Sequence, residues 1–355
     1  MNKTIMIRKK KVFLGILVIL MIGIVYEQIA EYFDNAEYKP IGRIINVKGH
    51  NMHIFGKGNG SATVVFTSGW RTPSPYVDLY PLYNEISKYT RIVVYDRPGY
   101  GWSDVSNSPR DIDTITKEIH ELLEKSGEKP PYILVGHSIG SFEVLRFTQL
   151  HKNEVKGVIL IDGLDPNMYP TAEKPSIYDL MFTSIFNNLV NVANKTGIIR
   201  LLFIVPSFYS PKIFSFRNRL SLAPEDLKKL DEVMFLKTLN NRSQIDEDRN
   251  KEVNAFRVAS SGNINDVPLR IITSEELNNY QNSKESQLNL KKWSTDSKQI
   301  IVKDSRHYIH WFHPEVINNE ILDILNNEWR EHLENNCAMD VHQCGIGAHR
   351  NFGTR

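Results

Sequence analysis

Apolar positions fall into three patterns along this chain. The first is an unbroken run from Val12 to Tyr26, with Arg8, Lys9, Lys10 and Lys11 before it and Glu27, Gln28, Ile29, Ala30 and Glu31 after it. The second is a series of short, β-branched apolar runs: Thr63–Thr67, Arg91–Tyr95, Tyr132–Val135, Val158–Ile161, Leu269–Thr273 and Gln299–Val302. Unbroken runs of that length are the mark of strands buried on both faces. Ahead of them, Ile44–Val47 and Met52–Phe55 flank Lys48-Gly49-His50-Asn51, which predicts a hairpin. The third pattern has helical spacing. Ile112, Ile115, Ile119, Leu122 and Leu123 follow a capping Asp111 and precede Gly127, and Val316, Ile317, Ile321, Leu322, Ile324 and Leu325 follow Pro314. Strands alternating with helices predict an α/β fold, a mostly parallel sheet with helices on both faces. The stretch from Asp165 to Asn265 has no strand signal and is too long for a loop, so it reads as a helical cap insertion.

The N-terminal run has the charge-then-apolar order of a signal peptide, but Tyr26-Glu27-Gln28 is a poor cleavage site. An uncleaved, single-pass membrane anchor is therefore expected. Its basic flank should stay in the cytoplasm, leaving the rest of the chain outside the cell membrane. The run is short against the ~20 residues of a spanning helix, so neighbours such as Ile29 must help or the bilayer must thin. The domain plan is then an anchor over 1–30, a core over 41–164 and 266–334, a helical cap over 165–265 and a flexible tail over 335–355.

Composition changes this picture little. Of the 355 residues, 41% are hydrophobic and 24% charged, proportions with which a chain buries an ordinary core. A net charge of +2 and the absence of a basic stripe interleaved with aromatics speak against nucleic acid. Cys337 and Cys344 both lie in the tail and cannot staple the core, and whether they pair stays open. Together with His342 and His349 they match no closed four-ligand metal pattern.

Candidate chemistry centres on Leu134-Val135-Gly136-His137-Ser138-Ile139-Gly140, a Gly-x-Ser-x-Gly sequence directly after a strand and before a helix. A serine on so tight a turn is pushed above the sheet edge, and the flanking glycines let the backbone bend. Serine is a weak nucleophile near neutral pH and needs a base. His307 sits on the loop after the last strand, at the same end of the sheet. His310 and His313 share that loop, while His137 is pinned beside the serine and cannot easily turn to take its proton. A metal site built from His307, His310 and His313 lacks a carboxylate partner in register.

Gly136 to Gly140, the loop Asp96-Arg97-Pro98-Gly99-Tyr100-Gly101-Trp102-Ser103-Asp104, and His307 with Pro314-Glu315 beyond it together resemble the α/β-hydrolase superfamily. More narrowly they resemble its capped lipase, esterase and iminopeptidase-like members, over roughly Ile41 to Leu333. The resemblance implies an α/β-hydrolase fold, with Ser138 as nucleophile and His307 as general base. It also implies an oxyanion hole made by the backbone amides of Trp70 and Ile139, although Ser68-Gly69 stands where the family usually has His-Gly. The acid is less plain. Thr273-Ser274-Glu275-Glu276 lacks the family's Gly-then-Asp pattern, so Asp162 at the end of Val158–Ile161 is preferred, with Glu275, Glu276 and Asp165 as alternatives. The shaped loop from Asp96 to Asp104 reads as scaffold.

These residues predict a serine hydrolase acting on an ester or amide of a small, apolar substrate, with no cofactor and no metal. Phe182, Phe186, Leu189, Leu201, Leu202, Phe203, Phe208 and Phe214 would either roof the site or form the cap's own core. An aminopeptidase of the proline iminopeptidase type needs an acidic pair that is not evident. Dehalogenase and epoxide hydrolase relatives carry aspartate at the nucleophile position. A non-catalytic binding module would have no use for the serine and histidine. The oligomeric state is not legible.

Overall fold

The computed structural model of the protein describes residues 3–169, 176–204 and 222–339. The strands are β1 (Arg43–Val47), β2 (His50–Lys57), β3 (Thr63–Thr67), β4 (Arg91–Tyr95), β5 (Tyr132–His137), β6 (Val155–Ile161), β7 (Leu269–Ser274) and β8 (Ser297–Val302). They form one eight-stranded sheet in the order β1-β2-β4-β3-β5-β6-β7-β8. From β4 onward all neighbours are parallel, and the β1–β2 and β2–β4 pairs are antiparallel. The hairpin turn is tighter than expected. Val47 faces His50 across a two-residue turn, in which Lys48 and Gly49 both adopt positive φ, of 47° and 87°.

Central strands are buried on both faces, which explains their unbroken apolar sequences. Val64, Phe66, Ile133 and Val135 join one core cluster, while Val65 and Leu134 join the other. The first cluster is closed by Tyr80–Ile86 and the helix from Pro314, the second by Ile112–Lys125 and Gly140–Leu150. Asp111 caps Ile112–Lys125 by accepting the Thr114 amide at 2.9 Å, and Gly127 ends it at φ 74°. The last helix continues to Met339, past the boundary expected at 334. Phe208, Phe214, Cys344 and the remainder of the tail lie outside the described residues.

Between β6 and β7 the insertion is helical, with helices Ile177–Lys195, Ile198–Ile204, Glu225–Thr238 and Arg242–Ser260. The last of these is more core than cap, because its Ala255 and Val258 are fully buried in the cluster that holds Phe142 and Ile115. Phe182, Phe186, Leu189 and Leu201 are 53–74% exposed, so they neither line the site nor form a cap core. The N-terminal helix runs unbroken from Lys3 to Glu37, so the polar stretch after Tyr26 continues the helix. Residues 8–37 of it, whose most apolar 18-residue stretch has a mean hydropathy of 2.3, are long and apolar enough to cross a membrane.

Candidate active site

The chain order reverses direction in the sheet between β3 and β5, because β4 lies on one side of β3 and β5 on the other. Loops leaving the carboxyl ends of two such strands diverge and open a crevice, the usual ligand position in parallel sheets. Ser138 follows β5 there, and Gly69-Trp70 follows β3. Ser138 adopts φ 54°, a left-handed conformation that a side chain disfavours. Its amide is held by the Ile161 carbonyl at 3.0 Å, and the helix Gly140–Leu150 begins at once behind it. Both flanking glycines are demanded by close approach. A Cβ on Gly136 would lie 2.8 Å from the Gly140 carbonyl oxygen, and one on Gly140 would lie 2.9 Å from the Ser68 carbonyl oxygen.

His307 stands on the loop between β8 and the short helix Ile309–Phe312, and its Nδ1 lies 3.3 Å from Asp162 Oδ2. Asp162 is fully buried at the end of β6, and its Oδ1 accepts the Ser274 amide at 2.6 Å. The other carboxylates considered are engaged elsewhere. Glu275 accepts the Asp304 amide at 2.9 Å, and Asp165 accepts the Asn167 amide and the Trp293 indole, both at 3.1 Å. Glu276 sits beside Glu275 in the first turn of a short helix that Ser274 caps.

His137 has a role that the motif alone does not disclose. Its Nε2 donates to the His307 carbonyl at 3.0 Å, tying the elbow to the loop that carries His307. Burial, followed by the neighbouring imidazoles of His307 and His310, holds its pKa well below the usual histidine value. It is thus a neutral strut. His310 turns toward Asp78 at 3.4 Å and His313 toward Glu315 at 3.5 Å, so the histidines of this loop do not converge on a common point. Among the described residues, Asp78, His137 and His310 bring ligand atoms within 4.8 Å of one another, as do His120, His151 and Glu154. In the first group His137 Nε2 is committed to the His307 carbonyl, which leaves its buried Nδ1 as the ring atom open to a ligand. In the second, the two imidazoles stack at 3.9 Å and 7°, so their lone pairs run in parallel planes instead of meeting at an ion.

A Cβ built on Gly69 would lie 3.4 Å from the Ser138 Cβ, so the β3 loop passes directly against the serine. Arg97 Nη2 and Thr72 Oγ1 donate to the Gly69 carbonyl, at 2.7 and 3.2 Å. In a trans peptide the carbonyl and the following N–H point in opposite directions. Pinning the Gly69 oxygen therefore also fixes the direction of the Trp70 amide. Among the described residues, neither the Trp70 nor the Ile139 amide is given to a protein acceptor. The loop from Asp96 to Asp104 is thus scaffold with a specific task. Asp96 holds it by accepting from the Trp102 amide at 2.9 Å, and its Arg97 reaches the turn beside Ser138.

Arg97 is buried between two carboxylates. It pairs with Glu143 on the helix behind Ser138, and its Nη1 lies 3.4 Å from Glu247 of Arg242–Ser260. Tyr95 also donates to Glu143, at 2.8 Å. One cation cannot balance two buried carboxylates, and burial, partly offset by Arg97, pushes the Glu247 carboxyl up to about 7. An acid whose folded pKa exceeds its unfolded value binds its proton more tightly when folded, so stability falls as pH rises, here between about 4.5 and about 7. Glu247→Gln should remove that loss. The wild type is expected to melt at a clearly lower temperature at pH 8 than at pH 5, and the variant to show a smaller difference. An equal difference in both proteins would contradict the assignment.

The chain matches the model of the alpha/beta hydrolase fold over residues 80–314. It belongs to that family. An uncharacterized protein of Bacillus subtilis, YbdG, is 29% identical over 289 residues, which span 80% of this chain and 85% of that protein. Among solved structures, the epoxide hydrolase VrEH1 from Vigna radiata aligns with a TM-score of 0.60 at 18% identity, over 81% of this chain and 98% of its own. A thermophilic esterase from Thermogutta terrifontis aligns with a TM-score of 0.54 at 14% identity, over 81% of this chain and 99% of its own. At these identities the two structures speak for the fold alone.

Proposed function

We propose that this α/β-hydrolase is a membrane-anchored serine hydrolase that cleaves an ester, or an amide, of a small apolar substrate. The contact that carries the reading is His307 Nδ1 on the buried Asp162, beside a serine held at positive φ. In this reading Asp162 fixes the imidazole tautomer, leaving Nε2 bare to take the Ser138 proton. Ser138 Oγ bonds to the substrate carbonyl carbon, and the oxyanion is held by the Trp70 and Ile139 amides. The imidazolium then passes its proton to the leaving alcohol or amine as that bond breaks. Water repeats the cycle on the acyl-serine, giving the acid and free enzyme. The chemistry calls for no cofactor.

An epoxide hydrolase reading, suggested by VrEH1, fits less well because relatives of that activity attack with aspartate, where this chain has serine. Arg8 to Lys11 before the apolar helix support a cytoplasmic N-terminus and a catalytic domain outside. The test is covalent labelling of the full chain with a fluorophosphonate. Wild type should label at one site and Ser138→Ala should not. An unlabelled wild type would favour a binding module on the same fold.

A further inference from the structure

The cap helix Ile177–Lys195 is amphipathic in the inverse sense. Its packed face is polar: Asn187 is buried and its backbone carbonyl accepts from Asn240, the Asn191 side chain accepts from Asn240, and the Asn194 side chain donates to the Leu236 carbonyl. Its outer face is apolar, where Tyr178, Phe182, Ile185, Leu189 and Val192 are 56–80% exposed. A helix of a water-soluble surface has the opposite arrangement. An apolar strip at this spacing marks an interaction site.

What covers the strip follows from where the helix ends. The turn Thr196-Gly197 rests on Gly23, inside the apolar run of the N-terminal helix, and a Cβ on Gly23 would fall 2.3 Å from the Thr196 carbonyl oxygen. The cap therefore meets this helix at the depth of its apolar segment. Several polar groups at the junction are paired within the protein, as a lipid environment favours. Arg200 donates to both Glu27 oxygens at 2.8 Å and pairs with Asp34 at 2.8 Å, and the Thr196 hydroxyl donates to the Val192 carbonyl at 2.8 Å. Beyond this ion cluster, in which Arg200 offsets one of the two carboxylate charges, exposed apolar surface extends past Tyr26 through Ile29 to Tyr32 and Phe33, the tyrosine being of the kind that anchors at a bilayer interface. That extension also resolves the shortness of the run.

We propose that the outer face of Ile177–Lys195 lies in the outer leaflet of the membrane spanned by the N-terminal helix, so that the cap is held in the lipid interface. The inference rests on the reading of that helix as a membrane span. It implies that the hydrolase draws on substrates dissolved in or lying at the bilayer.

The experiment uses the full chain with Cys337→Ser and Cys344→Ser, reconstituted in phosphatidylcholine and phosphatidylglycerol vesicles. Single cysteines replace Phe182, Leu189, Ile16 or Lys117, and each is labelled with an environment-sensitive fluorophore. The labels at 182 and 189 should shift to the blue and lose intensity when the lipids carry doxyl quenchers, as at 16, while that at 117 should not. Labels at 182 and 189 that stay unquenched while 16 is quenched overturn the proposal and leave the anchor standing. An unquenched label at 16 overturns the anchor and the proposal together. A blue shift at 182 that disappears on dilution in lipid, without quenching, assigns the face to a second copy of the chain and equally overturns it.

Discussion

Ser138→Ala is expected to lower kcat for ester hydrolysis by on the order of 10⁶, with KM little changed. The loss is large because the three groups of such a relay act as a unit. Without the hydroxyl, His307 and Asp162 have nothing to activate, and what remains over the uncatalysed rate, roughly 10³–10⁴, comes from oxyanion stabilisation and binding. The hydroxyl is not needed for the fold. The turn is held by backbone bonds, from the Ser138 amide to Ile161 and from the Ser141 amide to the Ser138 carbonyl, both at 3.0 Å, and alanine keeps them. The check is initial-rate kinetics on a short-chain chromogenic ester, alongside a melting curve. A variant that stays active while melting like wild type would remove Ser138 from the mechanism.

Asp162→Asn is expected to cost about 10⁴ in kcat near neutral pH. The asparagine oxygen can still accept the Ser274 amide, now accepted by Oδ1 at 2.6 Å, so the strand end should keep its geometry. Its NH₂ group, however, presents a donor to His307 Nδ1, which favours the tautomer with the proton on Nε2. That imidazole cannot accept from Ser138. Glu275→Gln is the paired comparison. Glu275 holds the Asp304 amide at 2.9 Å, a bond worth about 1 kcal/mol that glutamine can still make, so activity should change little. If the glutamine variant loses activity and the asparagine variant keeps it, the acid is Glu275.

The acid shows where the sequence stopped being informative. Several carboxylates lay near strand ends, and local pattern could not choose among them, because the choice depends on which strands are neighbours. β6 lies between β5 and β7, so the end of β6 faces the loop that brings His307 across from β8. Arg97 and Glu143 were equally illegible as partners. They are 46 residues apart and meet only because β4 and the helix behind β5 pack at the same crevice. Phe182 and Phe186 point outward for a related reason, whereas Phe203 packs on Phe235 within the cap. Their apolar character was plain, but whether they face inward depends on the surface opposite, and the asparagine face won that position.

The unbroken apolar strands, the helix-period stretches and the strand–Gly-x-Ser-x-Gly–helix order determined by themselves the fold class, the sharp turn that carries Ser138 and an apolar N-terminal helix. Each is a local property, set by periodicity over a few residues or by the backbone demands of one turn. Only the tertiary structure decided which carboxylate reaches His307, what aims the Trp70 amide, and that the cap turns its apolar face outward beside the N-terminal helix. Those depend on contacts between residues far apart in the chain, where burial of an unpaired charge or polar group is costly enough to dictate the partner.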